Sequence, residues 1–213
     1  MASSKLPAIS QIPSLPAEER AKILDLLFEP STQLHTLSVP LLHEKTFSSY
    51  PDLISAVGVQ LTELSDSAST SDTQWLESIL GSHPRLGAKK VDSAQSAAEQ
   101  AQLQGSGGEA EMLRKLNEEY EAKFPGLRYV VFVNGRSRPV IMEDMRRRIG
   151  TGDQRSERVA AIRVSVRVLQ CFDVVADRRG RLCVKLLLIE HLSCYSCNIS
   201  LIAVIPRLHS AGR

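Results

Sequence analysis

Glu109-Ala110-Glu111-Met112-Leu113-Arg114-Lys115-Leu116-Asn117-Glu118-Glu119-Tyr120-Glu121-Ala122-Lys123 is a run of good helix formers in which Leu113, Leu116 and Tyr120 recur three and four residues apart. That spacing lays the apolar side chains along one stripe of a helix and leaves the charges on the rest of its surface. Phe124-Pro125-Gly126 ends the run, because proline cannot continue the hydrogen-bond ladder and glycine suits the residues just past a helix. The same texture extends in both directions. Upstream, Ser14-Leu15-Pro16 before Ala17-Glu18-Glu19 reads as a helix start, with proline in the first turn and acids at the positive end of the dipole. Ile23, Leu24, Leu27 and Phe28 give that helix its stripe, and Pro30 ends it. Leu34 to Leu42 forms a second stretch, interrupted by Pro40. Tyr50-Pro51-Asp52 opens a third carrying Leu53, Ile54, Val57 and Leu61. Asp72 to Leu80 is a fourth, with Trp75, Leu76, Ile79 and Leu80 on one face and Gly81 as its stop. A helix from Ser93 or Ser96 to Gln104 then precedes a flexible break at Gly105-Ser106-Gly107-Gly108. Downstream, Pro139 to Ile149 turns Val140, Ile141, Met145 and Ile149 inward, and Ser156-Glu157 starts a last helix through Val159 and Ile162.

One run departs from this pattern. Tyr129-Val130-Val131-Phe132-Val133 is β-like and closes on the turn signal Asn134-Gly135. With no second run to pair with, it is expected to be an extended connector packed through the core. The prediction is therefore an all-α fold, a compact multi-helix bundle of about eight helices with one extended connector, occupying residues 1–163. A chain of 213 residues supports one core of ordinary size and is short for two.

After Arg163 the composition changes. Residues 164–213 carry seven Lys/Arg against three Asp/Glu and all four cysteines, whereas residues 1–163 are slightly acidic and cysteine-free. Val164 to Leu169 and Leu182 to Ile205 are rich in Val, Leu, Ile and Cys without capping residues or a clear period. The second run is broken by Lys185, Glu190, His191 and Asn198, which argues against a membrane helix. A net charge of +2 with no nucleic-acid-binding motif argues against nucleic acid as a partner. The N-terminus lacks a secretory pattern and Ser210-Ala211-Gly212-Arg213 is not a peroxisomal address, so an intracellular location is expected, cytoplasmic or peroxisomal.

Three motifs carry potential chemistry, each with a plain structural alternative. His83-Pro84-Arg85-Leu86-Gly87 holds an imidazole before a proline, which favours extended backbone and a loop setting. Such an imidazole is either a general acid/base titrating near neutrality or a surface loop histidine. Ser96-Ala97-Ala98-Glu99 fits a capping box, in which Glu99 reaches back to the backbone; the same orientation would let it polarise an imidazole or bind ligand N–H groups. Cys194-Tyr195-Ser196-Cys197 matches C-x-x-C, but neither a thioredoxin-like context nor regular zinc-ligand spacing accompanies it. Arg146-Arg147-Arg148 reads as a solvated helix face.

Taken together, these segments resemble the family of 2-oxo-4-hydroxy-4-carboxy-5-ureidoimidazoline (OHCU) decarboxylases, in a fungal-like branch. The resemblance rests on His83 to Gly87, on Ser96 to Gln100, and on Leu116-Asn117-Glu118-Glu119-Tyr120-Glu121-Ala122-Lys123-Phe124, with the Tyr129 to Val133 run and the following helix in the same order. It covers residues 10 to 163. It implies a cofactor-free, metal-free carboxy-lyase of urate breakdown, a homodimer acting on a small ureidoimidazoline and releasing (S)-allantoin. It implies His83 and Glu99 as catalytic residues, and Pro84, Gln100, Val131, Phe132 and Val133 as substrate-binding ones, the last three through backbone groups. It also implies a functional arginine about three turns beyond Ala161-Ile162, where this chain has Leu169-Gln170-Cys171-Phe172-Asp173; Arg163 and Arg167 fall one to two turns early. Because Val164-Ser165 can be encoded by GTAAGT or GTGAGT, a splice-donor sequence, the divergent tail 164–213 is read as a retained-intron or gene-model product. The competing reading is a catalytically silent helical interaction protein on the same scaffold.

Overall fold

The computed structural model describes residues 6–87, 107–133, 136–170, 172–176 and 182–186. A 3-10 turn at Ile9–Ser14 leads into α1 (Ala17–Leu27), α2 (Thr32–Glu44), α3 (Tyr50–Asp66), α4 (Thr70–Leu80), α5 (Gly107–Lys123), α6 (Arg138–Thr151) and α7 (Gln154–Gln170). The fold is all-α. The serines ahead of α2, α3 and α4 act as N-caps: Ser31, Ser49 and Ser69 each accept a backbone N–H from the third residue on. No helix among the described residues is long and apolar enough to cross a membrane.

The stripes read from sequence meet in one core. Leu24, Leu34, Leu42, Leu53, Val57, Leu61, Leu76, Leu80, Leu113, Tyr120, Phe124, Ile141 and Met145 are all buried in it. The run Tyr129 to Val133 is an extended connector without a strand partner among the described residues. Tyr129, Val131 and Val133 point into the core, and Val130 and Phe132 are half-buried between them. The helix expected between residues 93 and 104 lies outside the described residues.

Several local expectations are corrected. Pro40 does not interrupt α2, which continues to Glu44. Gln60 of α3 spans this stretch, donating Nε2 to Leu37 O at 3.2 Å and accepting from Ser38 Oγ at 2.9 Å, so tertiary bonds support the turn the proline weakens. Gly107 and Gly108 belong to α5 rather than to a break. Trp75 and Val140 lie at the margins of their helices, 39% and 52% exposed, and Met142 and Arg148 take the inward positions on α6.

The largest difference concerns α7. It runs unbroken from Gln154 across residues 163 and 164 to Gln170, so the change of composition after Arg163 falls inside a helix. Glu157, Ala161, Ile162 and Ser165 are buried at helical spacing. The alternating Val164-Ser165-Val166-Arg167-Val168 hides that period, because Ser165 reads as solvent-facing until a partner is placed against it. α7 crosses α3 at Gly58, where an added Cβ would lie 2.7 Å from Val166 Cγ2. Beyond α7, β1 (Phe172–Ala176) pairs antiparallel with β2 (Leu182–Leu186), Val174 opposite Val184.

Candidate active site

The site begins where α4 stops. Gly81 N–H closes the last turn on Glu77 O at 2.8 Å, and Ser82 Oγ caps Ile79 O at 2.7 Å. The chain then turns, and His83 and Pro84 leave the helix on a loop, as the proline requires. The imidazole does not point to solvent. It turns inward, its side chain 21% exposed, with Nε2 3.0 Å from Ser165 Oγ on α7 and Nδ1 4.0 Å from Glu29 Oε1 at the end of α1. Removal from water lowers the His83 pKa below its ordinary value, and the Glu29 carboxylate only partly opposes this. At neutral pH the ring is therefore a neutral imidazole, able to accept a proton.

The rest of the His83 motif fastens this loop to α5. Arg85 donates Nε and Nη2 to the two oxygens of Glu121 at 2.7 and 2.6 Å, and Arg128 pairs with the same carboxylate. Burial disfavours the Glu121 anion, but these hydrogen bonds outweigh it and hold the carboxyl below the usual range. Asn117 Nδ2 donates to Leu86 O and to Leu113 O, both at 2.9 Å. Gly87 has φ of 84°, and a Cβ there would lie 2.8 Å from Leu113 Cδ2, so the turn needs glycine twice over. Two segments that sequence shows only as separate motifs, His83 to Gly87 and Leu116 to Phe124, are thus one clamp.

Val131 and Phe132 border a second feature, a cleft of about 430 Å3 lined also by Arg136, Asp144, Arg147 and Arg163. Arg148 Nη1 donates to Val130 O at 3.0 Å, Arg136 N–H to Val133 O at 2.9 Å, and the Arg136 guanidinium to Phe132 O. The carbonyls of Val130, Phe132 and Val133 are thereby engaged, while the N–H groups at Val131, Phe132 and Val133 have no partner among the described residues. The side chains of Val131 and Val133 are core, so at those two positions the run offers a ligand mainly its backbone. Among the described residues, no hydrogen bond joins the His83 loop to the connector. Both face α7, the first through Ser165 and the second across the cleft that Ala160, Arg163 and Val164 also line. Pro84 is half-buried beside His83. Glu99 and Gln100 lie outside the described residues, as do Cys194 and Cys197. Among the described residues no three His, Cys, Asp or Glu side chains converge as metal ligands would.

Behind the connector is a buried polar cluster. Arg148 Nε donates to Glu157 Oε2 at 2.8 Å and Nη2 reaches the same oxygen, which also accepts Tyr120 OH at 2.5 Å. The guanidinium lies 4.7 Å from the Tyr129 ring centre, and Tyr129 OH donates to Asp144 at 2.6 Å. The expectation of a solvated Arg146-Arg147-Arg148 face therefore holds for Arg146 and Arg147 and fails for Arg148, because a helix rotates successive residues by 100° and the third turns inward onto Glu157.

Comparison with protein-family profiles matches residues 13–170 to OHCU decarboxylase. The chain belongs to the OHCU decarboxylase family. The match spans α1 to α7 in full and stops where the hairpin begins. No curated protein matches the chain. Membership places the chain among carboxy-lyase folds of urate catabolism, whose general chemistry is decarboxylation. Within this OHCU decarboxylase fold, the sequence singles out His83 but gives no sign of Glu29 and Ser165, the two residues packed beside it. Glu29 stands beside Pro30 with no motif around it, and Ser165 sits in a valine-rich run. Neither carries a local signal, since each gains its role only when α1 and α7 meet the α4 loop.

Proposed function

We propose that this chain decarboxylates OHCU to (S)-allantoin without a cofactor, with His83 moving the proton. The observation that carries this reading is the state of His83: mostly enclosed, held on a clamped loop, and kept neutral by its surroundings. Loss of CO2 breaks a carbon–carbon bond and leaves its electron pair to the adjacent ring carbon–nitrogen or carbonyl system. The heteroatom that receives the pair takes a proton from solvent, and the enol so formed loses a proton from oxygen and gains one at a ring carbon. A neutral imidazole accepts the first proton and, as imidazolium, delivers the second to one face. By the family resemblance, Glu99 fixes the ureido and ring N–H groups, and Gln100 and Pro84 contribute to substrate binding. The N–H groups of Val131 to Val133, which have no partner among the described residues, meet a substrate carbonyl or carboxylate. The protein acts as a homodimer in cytosol or peroxisome.

A second reading, a silent scaffold that binds partners, is favoured by one observation: Leu169 to Asp173 supplies no arginine. One assay separates the two. Full-length protein added to freshly generated OHCU is followed by absorbance and by circular dichroism of the product. Accelerated decay with one enantiomer in excess, lost by about 100-fold or more in His83→Gln, supports the enzyme. Unchanged racemic decay with the native chain refutes it and leaves the scaffold reading.

A further inference from the structure

Ser165 has one hydroxyl proton and two short contacts. Its Oγ lies 3.0 Å from Ala161 O, one turn back on α7, and 3.0 Å from His83 Nε2. A carbonyl oxygen only accepts, so the contact to Ala161 takes the hydroxyl proton. The contact to His83 is then a hydrogen bond only if Nε2–H donates to the serine oxygen. Both contacts are satisfied at once in a single arrangement: Nε2–H to Ser165 Oγ, Ser165 Oγ–H to Ala161 O. Taken alone, the bond to Ala161 is an ordinary local serine contact within a helix. The imidazole on its other side makes it a relay between the His83 loop and α7.

We propose that Ser165 is the positioning residue of His83, fixing the Nε2–H tautomer so that Nδ1, on the side of Glu29, is the nitrogen that gains and loses the catalytic proton. This rests on the reading of His83 as the proton carrier. Ser165 is 8% exposed, so water does not compete for its oxygen. Glu29 Oε1, 4.0 Å from Nδ1, lies too far for a hydrogen bond to the neutral ring but near enough to attract the proton once Nδ1 is charged. Ser165 thereby ties the site to α7.

The test is long-range proton–nitrogen NMR on the uniformly labelled full chain at a pH where His83 is neutral, its signals assigned by their loss in His83→Gln. The expected result is one tautomer, with the proton on Nε2 and Nδ1 bare. In Ser165→Ala both tautomers should appear, and kcat should fall about tenfold with KM little changed, since the ring loses orientation but the substrate contacts remain. Ser165→Thr, which keeps the hydroxyl, should restore the Nε2–H tautomer. A native chain carrying the proton on Nδ1, or a Ser165→Ala spectrum identical to the native one, overturns the proposal. The spectra need no turnover. If the native chain leaves OHCU decay unchanged, the decarboxylase reading fails while the tautomer assignment stands or falls on its own.

Discussion

Glu157→Gln tests how the connector is held against α7. The native carboxylate accepts two hydrogen bonds from Arg148 and one from Tyr120, all at Oε2, and the side chains of the ion pair are 10% and 5% exposed. Glutamine has the same shape and keeps one acceptor oxygen, but its amide is neutral and its NH2 must turn toward donors. Hydrogen bonds to charged partners contribute about 1.5–3 kcal/mol each and neutral ones about 1 kcal/mol. The substitution weakens two charged bonds and leaves the guanidinium buried with Val130 O, Tyr120 OH and the Tyr120 and Tyr129 rings as its other partners. A loss of about 3 kcal/mol follows, near the lower end of the ~3–5 kcal/mol typical of breaking one side of a buried ion pair. At roughly 2–4 °C per kcal/mol for a chain of this size, Tm should drop by about 6–12 °C. Urea unfolding followed by circular dichroism measures the change, with the slope m unaltered. The double replacement Arg148→Met with Glu157→Leu should cost less than the sum of the single replacements, because no buried charge is left alone. A single-variant loss below about 1 kcal/mol, or strictly additive doubles, would refute the reasoning.

Two further outcomes follow from the packing. His83 has a folded-state pKa below its ordinary value of 6.5, so the unfolded chain binds its proton more readily; this stabilising contribution is full above pH 6.5 and is lost as pH falls toward the folded pKa. Urea titrations at successive pH values should show native stability falling through that window with a steeper slope than His83→Gln, and equal slopes would remove the desolvation argument. Gly58→Ala adds a Cβ 2.7 Å from a methyl of Val166, a β-branched side chain with little freedom to turn. Despite alanine's better helix propensity, the variant should lose about 1–2 kcal/mol in thermal or urea unfolding, and a gain in stability would show that α7 does not press on α3 there.

The helical class was legible because Leu113, Leu116 and Tyr120, like Leu53, Val57 and Leu61, repeat at the helical period, and serines and prolines mark where helices start. The extended connector was legible for a different reason: five consecutive β-prone residues had no second strand to pair with. Local reading failed where a tertiary partner overrides it. Pro40 stays inside α2 because Gln60 bonds to that stretch from another helix. Arg148 leaves the solvated face because Glu157 awaits it. The helix past Arg163 was hidden because Ser165 looks polar until His83 is seen against it.

The same division runs through the site. The amino-acid order alone determined that the chain is a helical OHCU decarboxylase family member and that His83 sits on a proline-led loop, since periodicity, caps and motif spacing are properties of neighbours along the chain. Only the tertiary structure decided that Arg85, Leu86 and Gly87 fasten that loop to α5, that burial lowers the pKa of the imidazole, and that Glu29 and Ser165 flank its two nitrogens. Those facts depend on exclusion of water and on distances between residues as many as 82 positions apart in sequence, and neither quantity exists until the helices have packed.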